Sequence, residues 1–139
     1  MFRNILLPLD FTEKGRAAVE TACELVDPEQ GTIQFLHVIE TIDHLSSEET
    51  RDFYKLLEDK AEKSLEEWAA QLDVRDVDVQ RRISFGKRAP EIVRFARDSD
   101  TDLIIVASHS IDSERELSRI GTISHQVALM AHCPVLLLR

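Results

Sequence analysis

Short, nearly unbroken apolar runs that alternate with helical patterns constrain this chain more than any other feature. Ile5-Leu6-Leu7-Pro8-Leu9, Ile33 to Ile39, Leu103 to Ala107 and Val135-Leu136-Leu137-Leu138 are strand-length and apolar at both odd and even positions. Such a strand must be covered on both faces, the condition of a parallel sheet held between two helical layers. Val77 to Ser84 differs: Val77, Val79 and Ile83 alternate with Asp78, Gln80 and Arg82, as suits a half-wet strand at a sheet edge.

The intervening segments carry the helical period. Ala18, Ala22 and Leu25, with Val19, Cys23 and Val26, follow a Thr12 placed to cap, and Asp27-Pro28 and Gly31 end that helix. Ser46 and Glu49 have capping-box spacing ahead of a helix whose stripe is Leu57, Ala61, Leu65, Trp68 and Leu72. Gly86 turns the chain into a third helix, with Pro90 in its first turn and Ile92, Val93, Phe95 and Ala96 on its apolar face. A last helix spans roughly Gly121 to Ala131. The order β-α-β-α-β-α-β-α-β predicts one α/β domain over residues 1–139, an open five-stranded parallel sheet with helices on both faces. No internal repeat, low-complexity segment or linker interrupts it.

Charge and apolar run length exclude whole classes of function. Seventeen Lys and Arg stand against 26 Asp and Glu, a formal net charge of −9, so no nucleic-acid partner is expected without a basic patch. The densest basic group, Arg81-Arg82 with Lys87-Arg88, is short, lacks interleaved aromatics and reads as a solvated edge. No apolar run approaches the roughly 18 residues of a membrane span, so no membrane insertion is expected. The opening MFRNILLPLD reads as a first strand, not a signal peptide, because Pro8 and Asp10 interrupt it. Cys23 and Cys133 sit in apolar contexts and read as buried thiols of a cytoplasmic protein.

Ligands of open α/β sheets bind beyond the carboxyl ends of the strands, where successive connections leave toward opposite faces. The loops there offer Pro8, Leu9, Asp10, Val38, Ala107, Ser108, His109 and Ser110, with a helix start at Gly121-Thr122-Ile123-Ser124 whose free N–H groups could hold an anion. Asp10 suits a ribose hydroxyl or a nearby metal, or simply a turn beside Thr12.

ILLPLDFTEKGRAAVETACEL resembles the opening of the universal stress protein family (UspA-like), and FLHVIE, SFGKRAPEIVRFARDSDTDLIIVASH and IGTISHQVALMAHCPVLLLR match its later segments in order. The resemblance implies a Rossmann-like sheet, of the adenine nucleotide alpha hydrolase-like kind, in the order 3-2-1-4-5. It also implies a small cytoplasmic homodimer in stress response, and in one branch ATP binding. Nucleotide-binding positions by that resemblance are Pro8, Leu9, Asp10, Val38, His109, Gly121, Thr122, Ile123 and Ser124.

The family's phosphate motif, Gly-x2-Gly-x9-Gly-[Ser/Thr], is intact only at Gly121-Thr122. Aligned on the strand end, Ala107 and Ser110 replace its first two glycines, with ten residues before Gly121; restoring nine puts Ser108 and Ile111 there instead. A Cβ at a positive-φ position costs roughly 1–2 kcal/mol. Two such positions weaken binding by about 2–4 kcal/mol, roughly 30- to 1000-fold. Asp112, Glu114 and Glu116 outnumber Arg115 and Arg119 in the same loop. The expectation is therefore weak or lost nucleotide binding, with ATP and Mg²⁺ at low affinity at most. The alternative is an ATP-binding, nucleotide-gated switch with at most slow hydrolysis.

Other constellations are poorer. His125 and His132 lie seven residues apart, about 10 Å of helix rise, too far to share an ion, so no metal site is expected and a structural role is. Ser108 and Ser110 lack a G-x-S-x-G elbow, and the third strand ends in Ser84-Phe85-Gly86 where a phospho-receiver would need Asp. No catalytic residue is assigned, and the protein is read as a non-enzyme. The last strand, Val135 to Leu138, would leave an apolar sheet edge bare, so homodimerisation through it is expected, beside an unknown protein partner.

Overall fold

The structure, a computed structural model, describes residues 1–41, 48–72, 77–107 and 123–139. Five strands, β1 (Asn4–Pro8), β2 (Thr32–Ile39), β3 (Asp78–Phe85), β4 (Leu103–Ala107) and β5 (Val135–Leu138), form one parallel sheet in the order β3-β2-β1-β4-β5. Four helices are described: α1 (Glu13–Leu25), α2 (Glu48–Ala70), α3 (Arg88–Asp98) and α4 (Ile123–Met130). The alternating order and the edge position of β3 agree with the hydrophobic pattern.

The continuous apolar runs are continuous because each strand feeds two cores. Ile5, Leu7, Ile33, Phe35, Leu103 and Ile105 face α1 and α2, meeting Ala18, Val19, Ala22, Leu65 and Trp68. Leu6, Leu36, Val38, Ile104 and Val106 face the other way, against Ala89, Ile92 and Ala96 of α3 and Val127 of α4. Burying one Leu or Ile side chain contributes about 1.5–3 kcal/mol, so the three central strands dominate stability.

Register follows from the same pattern. Ile5 pairs with Ile33 and with Leu103, and Ile104 pairs with Val135, which lines up the carboxyl ends of β1, β2 and β4 along one rim of the sheet. The chain leaves β1 toward one neighbour and reaches β4 only after crossing to the other face. A crevice therefore opens between the β1 and β4 ends.

Three expectations need correction. Cys23 and Cys133 are only partly buried, since each lies at the margin of its core cluster rather than inside it. His125 and His132, expected to be structural, are exposed. His125 lies on α4 outside the stripe that buries Val127, and His132 in the turn after it. Thr12 occupies the N-cap position of α1 but makes no side-chain cap bond. Its hydroxyl donates instead to the Asp10 carboxylate at 2.8 Å, a stronger acceptor than the hydroxyl is for the helix N–H groups.

Candidate functional site

The rim crevice has a volume of about 370 Å³, inside the range of small-molecule sites. Pro8, Leu9 and Asp10 form its β1 side, Val38 its β2 side, Ala107 its β4 side, and Ile123 and Ser124 its α4 side. Seven positions named from the sequence thus come together around one space. His109, Ser110, Gly121 and Thr122 lie outside the described residues, as do Ser108 and the acidic loop positions.

The β1–α1 turn is built by Asp10. Its Oδ1 accepts the Thr12 backbone N–H at 3.1 Å as well as the Thr12 hydroxyl, an Asx-turn. Those two bonds give Asp10 its turn role; the residue is exposed, and among the described hydrogen bonds none engages its Oδ2. Phe11, the central residue of that turn, sits at φ 64, a left-handed conformation that costs a non-glycine residue roughly 1–2 kcal/mol. Packing offsets the strain: the Phe11 ring lies 4.8 Å from that of His37 and 5.9 Å from that of Trp68.

His37 is the residue that inspection of the sequence missed. Its Nδ1 lies 2.7 Å from the Leu9 carbonyl oxygen, and the Leu9 N–H donates to the Leu36 carbonyl at 2.8 Å. A carbonyl only accepts, so Nδ1 carries a hydrogen, and in the uncharged form of the ring that tautomer makes Nε2 the acceptor. Its sequence signal was a lone polar residue inside the apolar run FLHVIE. Gly15, Glu40, Arg88 and Ile92 also line the crevice, and Arg88 meets Glu40 at 3.9 Å, a loose and largely solvated ion pair.

A second cavity of about 350 Å³ adjoins the first through His37, Val38, Glu40 and Arg88, and is otherwise walled by Phe11, Ile39 and the Leu57–Ser64 stretch of α2. The combined walls mix apolar side chains such as Leu9, Val38 and Ile92 with Asp10, His37, Glu40 and Arg88, which suits a partly polar ligand. Among the described residues no group of three His, Cys, Asp or Glu side chains is placed to hold a metal ion. No described helix is long and apolar enough to cross a membrane.

The sequence model of the universal stress protein family matches residues 1–139. The chain belongs to the universal stress protein family. Universal stress protein YxiE of Bacillus subtilis (strain 168) is 27% identical over 157 aligned positions, which cover both chains in full. The structure of the hypothetical protein MJ0577 superposes with a TM-score of 0.84 at 26% identity, covering 99% of this chain and 96% of that one. A universal stress protein solved with AMP bound, from Arabidopsis thaliana, superposes at 0.72 and 20% identity, over 98% and 90% of the two chains. One solved in complex with cAMP superposes at 0.76 and 17% identity, over 99% and 97%. At those last two identities the likeness is one of fold. This universal stress protein family member thus carries a rim crevice where its fold class binds ligands.

Proposed function

We propose that this family member is a cytoplasmic stress-response regulator whose rim crevice binds an adenine nucleotide weakly, and that it acts as a homodimer without enzymatic turnover. The observation that carries the nucleotide reading is the convergence of Pro8, Leu9, Asp10, Val38, Ala107 and Ser124 on one crevice of about 370 Å³. The AMP and cAMP complexes of relatives that share the fold support the same ligand class. The residues present fit such a group: apolar walls from Leu9, Val38 and Ile92 for the base, Asp10 Oδ2 for a hydroxyl donor, and Arg88 as a nearby cation.

Weakness follows from chemistry at the phosphate end. By the family resemblance, Ala107 and Ser110 in one register, or Ser108 and Ile111 in the other, stand where the ATP-binding branch has glycine, and a Cβ at such a position disfavours close approach of phosphate to backbone N–H groups. Asp10 and Glu40 add negative charge to the lining, against Arg88 among the described residues. Calorimetry with AMP, cAMP and ATP, with and without Mg²⁺, tests the reading. Dissociation constants from tens of micromolar to millimolar are expected. A low-micromolar constant for ATP would instead favour the nucleotide-gated switch, and no heat with any of the three would remove nucleotide binding altogether.

The dimer reading rests on β5. It lies at the sheet edge, and Leu137 on it is 43% exposed; Leu129 and Met130 near the end of α4 are exposed as well. Pairing with a second copy would remove both the free edge and the exposed Leu137 side chain from water.

A further inference from the structure

We propose that His37 Nε2 is the hydrogen-bond acceptor that reads a donor on the bound nucleotide, and so sets which nucleotides the crevice accepts. This rests on the nucleotide reading above and adds the group that would confer selectivity.

Four observations converge on it. The Nδ1–H is engaged by the Leu9 carbonyl at 2.7 Å, which fixes the tautomer and the plane of the ring. Contact with the Phe11 ring, 4.8 Å away and tilted by 32°, restrains the imidazole further. His37 lines both the rim crevice and the adjoining cavity. Among the described hydrogen bonds none engages Nε2, the other nitrogen of the ring. A part-buried acceptor held in one orientation is satisfied by a ligand N–H or O–H. It is left unpaired against a ligand that presents only another acceptor. Unpaired polar groups in a site are what give large discrimination, since desolvation is then uncompensated.

An adenine nucleotide has two kinds of donor that meet this description, the exocyclic amino group of the base and the ribose hydroxyls. The chemistry at His37 is the same for both, and analogues separate them. AMP is compared by calorimetry with inosine monophosphate, which replaces the amino group by a keto oxygen, and with the 2′-deoxy and 3′-deoxy forms of AMP. The wild-type protein is expected to bind one of these analogues at least tenfold more weakly than AMP, about 1.4 kcal/mol. Loss on the inosine arm assigns the base amino group, and loss on a deoxy arm assigns that hydroxyl.

His37→Asn keeps a donor near the Nδ1 position for the Leu9 carbonyl but has no group in place of Nε2. It is expected to erase the discrimination while AMP still binds. Discrimination unchanged in His37→Asn, or absent on every arm in the wild-type protein, overturns the proposal and leaves the nucleotide reading standing. Failure of every nucleotide to bind the wild-type protein removes both. Should His37→Asn not fold, nitrogen-15 NMR of the wild-type protein decides alone. A protonated Nδ1 and a bare Nε2 at neutral pH, with Nε2 shifting on AMP addition, support the role. A protonated Nε2 in the free protein, or no shift on binding, overturns it.

Discussion

His37 Nδ1 stands 2.7 Å from the carbonyl oxygen of Leu9, so one imidazole ties β2 to the residue that leaves β1 for the crevice. The bond is part-buried, and removing its donor leaves the Leu9 carbonyl short of a partner. His37→Phe keeps a ring against Phe11 but loses the donor. It is expected to lower stability by about 1–2 kcal/mol in urea denaturation. Stability unchanged from wild type would show that water or another donor replaces the bond.

Glu91 gives a pH prediction. The Arg94 guanidinium, and then the Ser84 hydroxyl, hold its carboxyl below the ordinary glutamate value of 4.5. Ser84 Oγ donates to Glu91 Oε2 at 2.5 Å and Arg94 Nη2 lies 2.6 Å from the same oxygen. A carboxyl with a depressed folded pKa adds stability that is present above its unfolded value and is lost as pH falls through the folded one. Arg94 is 57% exposed, so screening keeps the effect small. Glu91→Gln is expected to lose about 1 kcal/mol at pH 7. At pH 3 the gap to wild type should be clearly narrower. An equal gap at both values would show that the pair makes no pH-dependent contribution.

Gly86 ends β3 at φ 142, a region that side chains rarely adopt, and a Cβ there would sit 3.0 Å from Glu91 Cγ. Gly86→Ala is expected to destabilise by about 1–3 kcal/mol. A thermal midpoint within a degree of wild type would refute the strain.

Gln34 is 6% exposed in the second strand, and its side-chain oxygen has no described hydrogen-bond partner. An amide buried in that way is less favourable than an apolar group of similar shape. Gln34→Met is therefore expected to stabilise the protein by about 1 kcal/mol. A clear loss of stability in urea would mean that the amide is satisfied in solution.

Leu137 tests the dimer. Its 43% exposure on the edge strand places a charge at that position in the proposed interface without entering the core. Leu137→Asp is expected to convert a dimer to a monomer in light scattering at micromolar concentration, with the helical circular dichroism unchanged. A wild-type monomer, or a variant that stays dimeric, would remove β5 as the interface.

Local pattern by itself determined the elements and their order. Leu103 to Ala107 and Val135 to Leu138 are strands where their apolar runs predict them, because a two-sided apolar strand has no other way to leave water. The rim itself followed from strand direction, so Pro8, Asp10, Val38 and Ala107 were legible as neighbours. Tertiary structure decided the rest. His37 is one polar residue in an apolar run, and only the register that sets Pro8 opposite Leu36 brings its ring to the Leu9 carbonyl. Arg88 and Glu40 are 48 positions apart and meet because β2 ends and α3 begins at one rim. Thr12 was placed correctly at the helix start, but its hydroxyl chose the Asp10 carboxylate over the helix N–H groups. Hydrophobic periodicity is a property of neighbours along the chain and survives in the sequence. Pairings of polar atoms depend on sub-ångström geometry across the sheet, and that exists only once the strands are in register.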